Sequence, residues 1–294
     1  MALRKITLEN CFRFAVSIGA TKALLMAETA QGPFFFHLLN PVPIDQMREL
    51  STDRPDQTES PYTVDAGHFQ IESDIFAFSR NRDRGAPGGG VIEETRSFAA
   101  LNLKAGLFRN LDLQVLLDPY LRSRTFNLRT GSGEHADGFG DVIARMKLNL
   151  WGNDGGQTAF ALMPYVKVPA ASRGLGNGAV EGGIILPFAL KLPSNFYLGL
   201  QTQGDFVRND GLSGVHMDWC NSLTIGHSLV GDLAGYAEVF TVTHLESAGG
   251  FEGYFDIGLT YGLTGNIQLD VGCNFGITEL AKDYNPFVGV TFRF

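Results

Sequence analysis

Residues 284–294 set Pro286, Val288, Val290, Phe292 and the terminal Phe294 on one side of a period-two pattern, and Phe287, Gly289, Thr291 and Arg293 on the other. Successive side chains of a strand point to opposite faces, so this pattern predicts a strand with one apolar and one mixed face, closing on an aromatic residue. The same alternation recurs upstream in runs of about 11 to 14 residues, longer than the usual globular strand and matched to a tilted crossing of a bilayer.

Strands are expected at 67–79, 93–106, 111–125, 139–151, 157–168, 180–191, 195–207, 215–228, 233–245, 251–262, 266–277 and 284–294. In the fourth, Val142, Ala144, Met146, Leu148 and Leu150 oppose Asp141, Arg145, Lys147 and Asn149. In the eleventh, Ile267, Leu269, Val271, Cys273 and Phe275 oppose Gln268, Asp270 and Asn274. Tight connections at Phe108–Asn110, Gly152–Gly156, Pro193–Ser194, Val230–Asp232 and Thr264–Gly265 alternate with longer polar or Gly-rich ones. Short periplasmic turns alternating with long extracellular loops are the pattern of outer-membrane barrels. The expected fold is therefore all-β, a twelve-stranded antiparallel transmembrane β-barrel. A soluble β-sandwich would also alternate, but with shorter strands. Aromatics such as Trp151, Phe196, Tyr236 and Phe294 on the turn side, and Phe78, Phe126, Phe206 and Phe251 on the loop side, are read as membrane-rim residues.

Composition agrees. The chain is 44% hydrophobic, yet its mean hydropathy is only +0.02, as expected when lipid-facing and lumen-facing residues cancel in any window. No run of about 18 apolar residues follows the amino terminus, which excludes helical spans as the organising principle. A net charge of -8 argues against nucleic acid as a partner.

Three regions follow: 1–30 as a signal peptide, 31–66 as a periplasmic leader able to act as a plug, and 67–294 as the barrel. The signal reading rests on Arg4, Lys5 and Arg13 ahead of the apolar stretch Phe14–Met26, with Ala27 and Ala30 after it; Lys22 interrupts the stretch, and a short amphipathic helix is the alternative. Cys11 precedes the apolar stretch, the wrong order for a lipoprotein. Cys220 and Cys273 fall on opposite faces and are not paired, and no Cys or His spacing suggests a metal. No cofactor is expected.

Nothing in the sequence supports an enzyme. His227 and Ser228 are neighbours on a strand and point to opposite faces, and neither GxSxG nor HExxH occurs. His68, His216 and His244 fall near strand ends as lumen or rim residues. The chemistry lies in the inward charges, among them Glu72, Arg96, Lys104, Arg122, Arg124, Arg145, Lys147, Glu181, Asp205, Glu238 and Asp270. They are either an ion-pair network that packs a narrow barrel shut or the lining of a restricted conduit. The segment Asp53–Glu59 is either a solvated leader or a plug, in which Arg54 pairs with a lumen carboxylate and Asp53, Asp56 and Glu59 pair with lumen Lys or Arg.

The run from Thr52 to Pro61, TDRPDQTESP, leading into Tyr62–Glu72, resembles the opening signature of a bacterial outer-membrane family named after the MetA pathway of phenol degradation. Gly138–Asp141 with the 147–152 run KLNLWG, the 164–169 run PYVKVP, and Glu181–Gly183 leading to Pro187 are similar in support, and the likeness covers about residues 50–294. It implies a barrel in the bacterial outer membrane that handles hydrophobic or aromatic compounds, and it transfers no catalytic residues. The expected function is passive passage of small molecules. The alternative is a structural or adhesive barrel with a side-chain-filled lumen. Expected partners are outer-membrane lipids, the barrel assembly machinery acting on the C-terminal strand, and a small-molecule solute.

Overall fold

The structure is a computed structural model that describes residues 35–83, 90–209, 214–246 and 249–294. The expected signal peptide and Cys11 lie outside the described residues. Fourteen strands form one antiparallel sheet. They are β1 (Phe69–Asp83), β2 (Val91–Phe108), β3 (Leu111–Leu117), β4 (Tyr120–Asn127), β5 (Gly133–Gly138), β6 (Val142–Trp151), β7 (Thr158–Val168), β8 (Glu181–Lys191), β9 (Phe196–Arg208), β10 (Val215–Val230), β11 (Leu233–His244), β12 (Phe251–Thr264), β13 (Ile267–Gly276) and β14 (Tyr284–Arg293).

Consecutive strands pair except at β3–β4 and β5–β6, where β3 pairs with β6 instead, and β14 returns to β1 with Gln70 opposite Arg293, which closes the ring. Closure leaves no free edge within the barrel wall. Phe69 and Phe294 exchange backbone hydrogen bonds at 2.9 Å and stack their rings at the seam. The third expected strand is in fact two. Pro119 cannot donate to a ladder, and the chain breaks between β3 and β4. The lower half of β2 pairs with β3 and its upper half with β4, while β5 lies in what the sequence reads as a loop and pairs with β4. The β4–β5 hairpin thus extends the third and fourth crossings, and twelve strands form the ring.

The polarity of the barrel is inverted relative to a soluble domain. Lys104, Asp112, Gln114, Lys147, Glu238 and Thr291 are all at most 3% exposed, whereas Leu113, Met146, Leu223, Val239, Ile257 and Val271 are all more than 40% exposed on the outer face. An exposed apolar belt of this extent calls for a lipid solvent. No described helix is long and apolar enough to cross a membrane. Leu148, on the outer face of β6 between the buried Lys147 and Asn149, gives a direct test. Leu148→Arg is expected to lower folding stability in a bilayer by about 2 to 4 kcal/mol if the residue sits near the midplane. Urea titration of the barrel refolded into vesicles reads the shift; an unchanged midpoint would mean that the face assignment is inverted.

Two face assignments differ from the sequence reading. A bulge at Ile75, between Asp74 opposite Gly289 and Phe76 opposite Val288, coincides with the left-handed backbone of Ala99 (φ 55) across the β1–β2 ladder. Below this point Asp74 and Ala100 line the lumen. Above it Phe76 packs on Phe98 and Phe98 on Tyr120, with Arg96 over Phe78 on the same face, while the neighbouring Ser97 turns inward to Asp118. Arg96 therefore faces outward, as do Arg122 and Arg124, which lie opposite Arg96 and Glu94 beyond the Pro119 break. A one-residue irregularity exchanges the two faces of everything beyond it. Tyr236, read from sequence as a rim aromatic, is 5% exposed and points inward. A Cβ on Gly258 would collide with its ring and one on Gly272 with its hydroxyl, so these glycines make the space it fills.

Candidate functional site

Residues 48–66, ahead of β1, are inside the barrel. Residues 35–47 lie at the turn end, where Leu38 donates to the Leu107 carbonyl and Phe36, Val42 and Ala66 form a small apolar cluster. The chain then enters the lumen near Arg48 and leaves near Asp65. These two are bonded at 2.7 Å, and Arg293 on β14 holds the Arg48 carbonyl from the wall. The two limbs between them pair through the Ser51 and Ser60 hydroxyls at 2.7 Å, and the Ser60 amide donates to Asp53 at 3.1 Å. Gly67, with φ 78, makes the bend into β1; a Cβ there would overlap Pro41.

Asp53 sits at the centre of the loop's attachment. Its carboxylate meets Lys104 of β2 and Lys147 of β6 at 2.5 Å each, with Arg145 at 3.6 Å. Lys104 also contacts Glu72, and the Asp53 amide donates to Glu72 at 3.0 Å. Burial by itself raises the Asp53 carboxyl, but Lys104, Lys147 and Arg145 outweigh it and hold the group well below the usual carboxylate range. Arg54 reaches β1 and β13, with Asp74 and Asp270 both at 2.7 Å. It passes over Gly289, where a Cβ would lie 2.2 Å from the guanidinium. Glu59 pairs with Arg145.

Neutral groups and backbone complete the attachment. Glu238 accepts from the amides of Gln57 (2.7 Å) and Thr58 (2.9 Å), Gln201 from Glu59 (2.7 Å), and Asp112 from Val64 (3.0 Å). Asn149 donates to the Pro61 carbonyl at 2.8 Å, and Asn153 in the β6–β7 turn meets Thr63. Gln201, Asn149 and Asn153 escaped a sequence reading built on charge. Their only sequence signal is an inward position on a strand or turn, which many other residues share.

The structure thus gathers Asp53, Arg54, Glu59, Glu72, Lys104, Arg145, Lys147, Glu238 and Asp270 around one loop. Asp56 is placed differently from the expectation of a Lys or Arg partner. Burial first, and then the Glu238 carboxylate, push its carboxyl well above the usual range. Glu181 and Asp205 line the lumen on the loop side, away from the plug. Glu181 pairs with Lys167 at 2.6 Å, and Asp205 accepts from Tyr165 and Gln203. Arg96 is on the outer face and takes no part. Cys220 and Cys273 are both free thiols.

The tip of the loop does not fill the lumen. A cavity of about 290 Å³ lies beside Gln57 and Glu59, bounded by Tyr165, Ile185, Phe240 and Val242 as well as Gln201 and Gln203. A second, of about 300 Å³, lies between the loop and the β2–β3–β6 wall.

The raised carboxyls make the docking of the loop pH-dependent. Asp56 is faced by Glu238 and Tyr236 of β11, Asp256 of β12, Tyr197 of β9 and Glu59 of the loop itself. Burial pushes Glu59 up to about 7, with Arg145 opposing and Asp53 adding to the rise. A carboxyl raised in the docked state contributes stability that is complete below its free value and is lost as pH rises through the docked value. For Glu59 that window runs from 4.5 to about 7. Asp53 is shifted the other way, so its contribution is lost only as pH falls below 3.8. Bilayer conductance is therefore expected to rise between about pH 5 and about pH 7 as Glu59 ionises, and Asp56→Asn with Glu59→Gln to flatten the profile. A wild-type profile that is already flat would contradict it.

A family model described as "Putative MetA-pathway of phenol degradation" matches residues 52–294. No curated protein matches the chain. Among solved structures, the translocator domain of the autotransporter NalP from Neisseria meningitidis is similar, with a TM-score of 0.50 and 11% identity over 77% of this chain and 88% of that one. The transport unit of the autotransporter AIDA-I from Escherichia coli has a TM-score of 0.49 and 11% identity, over 83% of this chain and 93% of that one. An anion-selective porin from Comamonas acidovorans has a TM-score of 0.38 and 10% identity, over 77% and 98%. At such identities the likeness to NalP is one of fold, that of an outer-membrane β-barrel.

Proposed function

The chain belongs to the phenol-degradation family matched over residues 52–294, and from that membership we propose that it is a bacterial outer-membrane conduit for small hydrophobic or aromatic molecules, closed at its turn end by the 48–66 loop. The orientation puts the five tight turns and the plug on the periplasmic side and the long loops outside, as in other barrels of this kind. Passage is passive, driven by the solute gradient, and no covalent step is assigned to any residue.

The observation that carries this reading is the cavity beside the loop tip. Its wall combines the Tyr165 and Phe240 rings, Ile185 and Val242 with the amides of Gln201 and Gln203. An apolar surface with a few placed polar groups suits a small aromatic ring bearing a hydroxyl better than a strongly hydrated sugar or ion. The density of buried pairs around Asp53 supports the second reading, a sealed barrel with a structural role.

Uptake into vesicles carrying the purified chain separates the two. A conduit admits phenol-sized aromatics faster than sugars of similar mass, and bulky substitution at Phe240 or Val242 changes that preference. Vesicles no more permeable than protein-free ones, both for the wild type and after the loop is removed, would leave the structural reading.

A further inference from the structure

We propose that His216, Asp218 and His244 form a binding site for a divalent transition-metal ion of the Zn²⁺ class on the inner wall, on the loop side of the cavity. The ladder places Asp218 of β10 directly opposite His244 of β11, and His216 lies two residues from Asp218 on the same face. Their donor atoms all fall within 4.8 Å of one another. His216 Nε2 is 3.2 Å and His244 Nδ1 is 2.8 Å from the same Asp218 oxygen, Oδ1.

The outer contacts of the two rings give this cluster its direction. His216 Nδ1 stands 2.7 Å from the Asn209 side-chain oxygen, and His244 Nε2 stands 3.2 Å from Glu252 Oε1. All four ring nitrogens face oxygen acceptors; in the tautomer whose outer nitrogen donates to Asn209 or Glu252, a neutral ring carries its proton there. The other nitrogen of each ring, His216 Nε2 and His244 Nδ1, is then a lone pair aimed at a carboxylate oxygen that is also an acceptor. Three acceptors then converge on one point, a geometry satisfied either by a metal ion between them or by a further proton on each ring, and zinc titration separates the two. Imidazoles held by an outer acceptor on the far nitrogen are the usual supports of a metal site. Glu252 is fixed in turn by the Tyr254 hydroxyl.

The donor set selects the ion. Two imidazoles and a carboxylate suit Zn²⁺ and its neighbours, whereas Ca²⁺ and Mg²⁺ favour oxygen throughout. Donors bound to one Zn²⁺ at about 2.0 to 2.2 Å stand roughly 3.2 to 3.5 Å apart, against 3.2 and 2.8 Å from Asp218 Oδ1 to the two imidazole nitrogens here. A bound ion would tie β10 to β11 and place positive charge above the cavity.

The test uses the full chain in detergent, treated with chelator and then titrated with ZnCl2 by calorimetry. One saturable equivalent is expected, not displaced by excess MgCl2, and weakened by more than about tenfold in His216→Gln and in His244→Gln, the lower end of what loss of even an outer-shell partner costs. X-ray absorption on the wild-type zinc complex is expected to report two imidazole nitrogens with oxygen. That measurement decides the matter if either variant does not fold. No saturable binding by the folded wild type, binding untouched by both substitutions, equal competition from Mg²⁺, or a sulfur-ligated spectrum pointing to Cys220 would each overturn the proposal.

Discussion

Deleting residues 50–62 is expected to leave all twelve crossings folded and to turn a nearly closed barrel into an open pore. None of the fourteen strands loses a residue, since β1 begins at Phe69. The cut ends lie close together, because Arg48 and Asp65 beside them are bonded at 2.7 Å. The deletion removes Asp53, Arg54 and Glu59, and with them every loop contact to Lys104, Lys147, Arg145 and Asp270. Those wall groups become hydrated, and Lys104 keeps Glu72 as a partner. Single-channel recording should show a large rise in conductance, with circular dichroism and gel mobility of the folded form unchanged. A well-folded deletion variant with wild-type conductance would show that the loop does not obstruct the path.

Asp53→Ala is expected to release the loop from the wall without unfolding the barrel. The carboxylate is buried between two ammonium groups whose side chains are 2% and 1% exposed. Removing one member of such a cluster leaves buried charge uncompensated, at a cost of about 3 to 5 kcal/mol. At about 1.4 kcal/mol per tenfold, the docking equilibrium shifts by roughly two to three and a half powers of ten. The double variant Asp53→Ala with Lys147→Met should recover part of the loss, since Lys104 is then balanced by Glu72. Conductance and protease access to the 50–62 segment read the equilibrium. A single variant as closed as the wild type, or a double variant no better than the single, would remove Asp53 from the role of principal anchor.

The local regularities of the chain are sufficient for its architecture. Period-two alternation, strand length and the short-long rhythm of the connections are properties of neighbouring residues, and a tilted crossing imposes them on each strand separately. Hence Val142–Leu150 and Ile267–Phe275 declare their faces without reference to the rest. For Asp53–Glu59 the sequence left a solvated leader and a plug both open, because charges of both signs a few residues before the first strand suit either.

What tertiary structure alone decided is where long-range registers meet. Asp53 meets Lys104 and Lys147, and Arg54 meets Asp270, across 216 positions of sequence. No local pattern specifies those pairs. Asp56 carries the same charge as Asp53 but meets Glu238 rather than a cation, because the loop tip turns between them. Arg96 shows the complementary limit, since an irregularity at Ile75 and Ala99 reverses the faces of everything beyond it while leaving the alternation in sequence intact. His216, Asp218 and His244 are scattered along two strands and converge only because the β10–β11 ladder sets Asp218 opposite His244. Periodicity is a property of one strand, whereas a site is a property of the register between several.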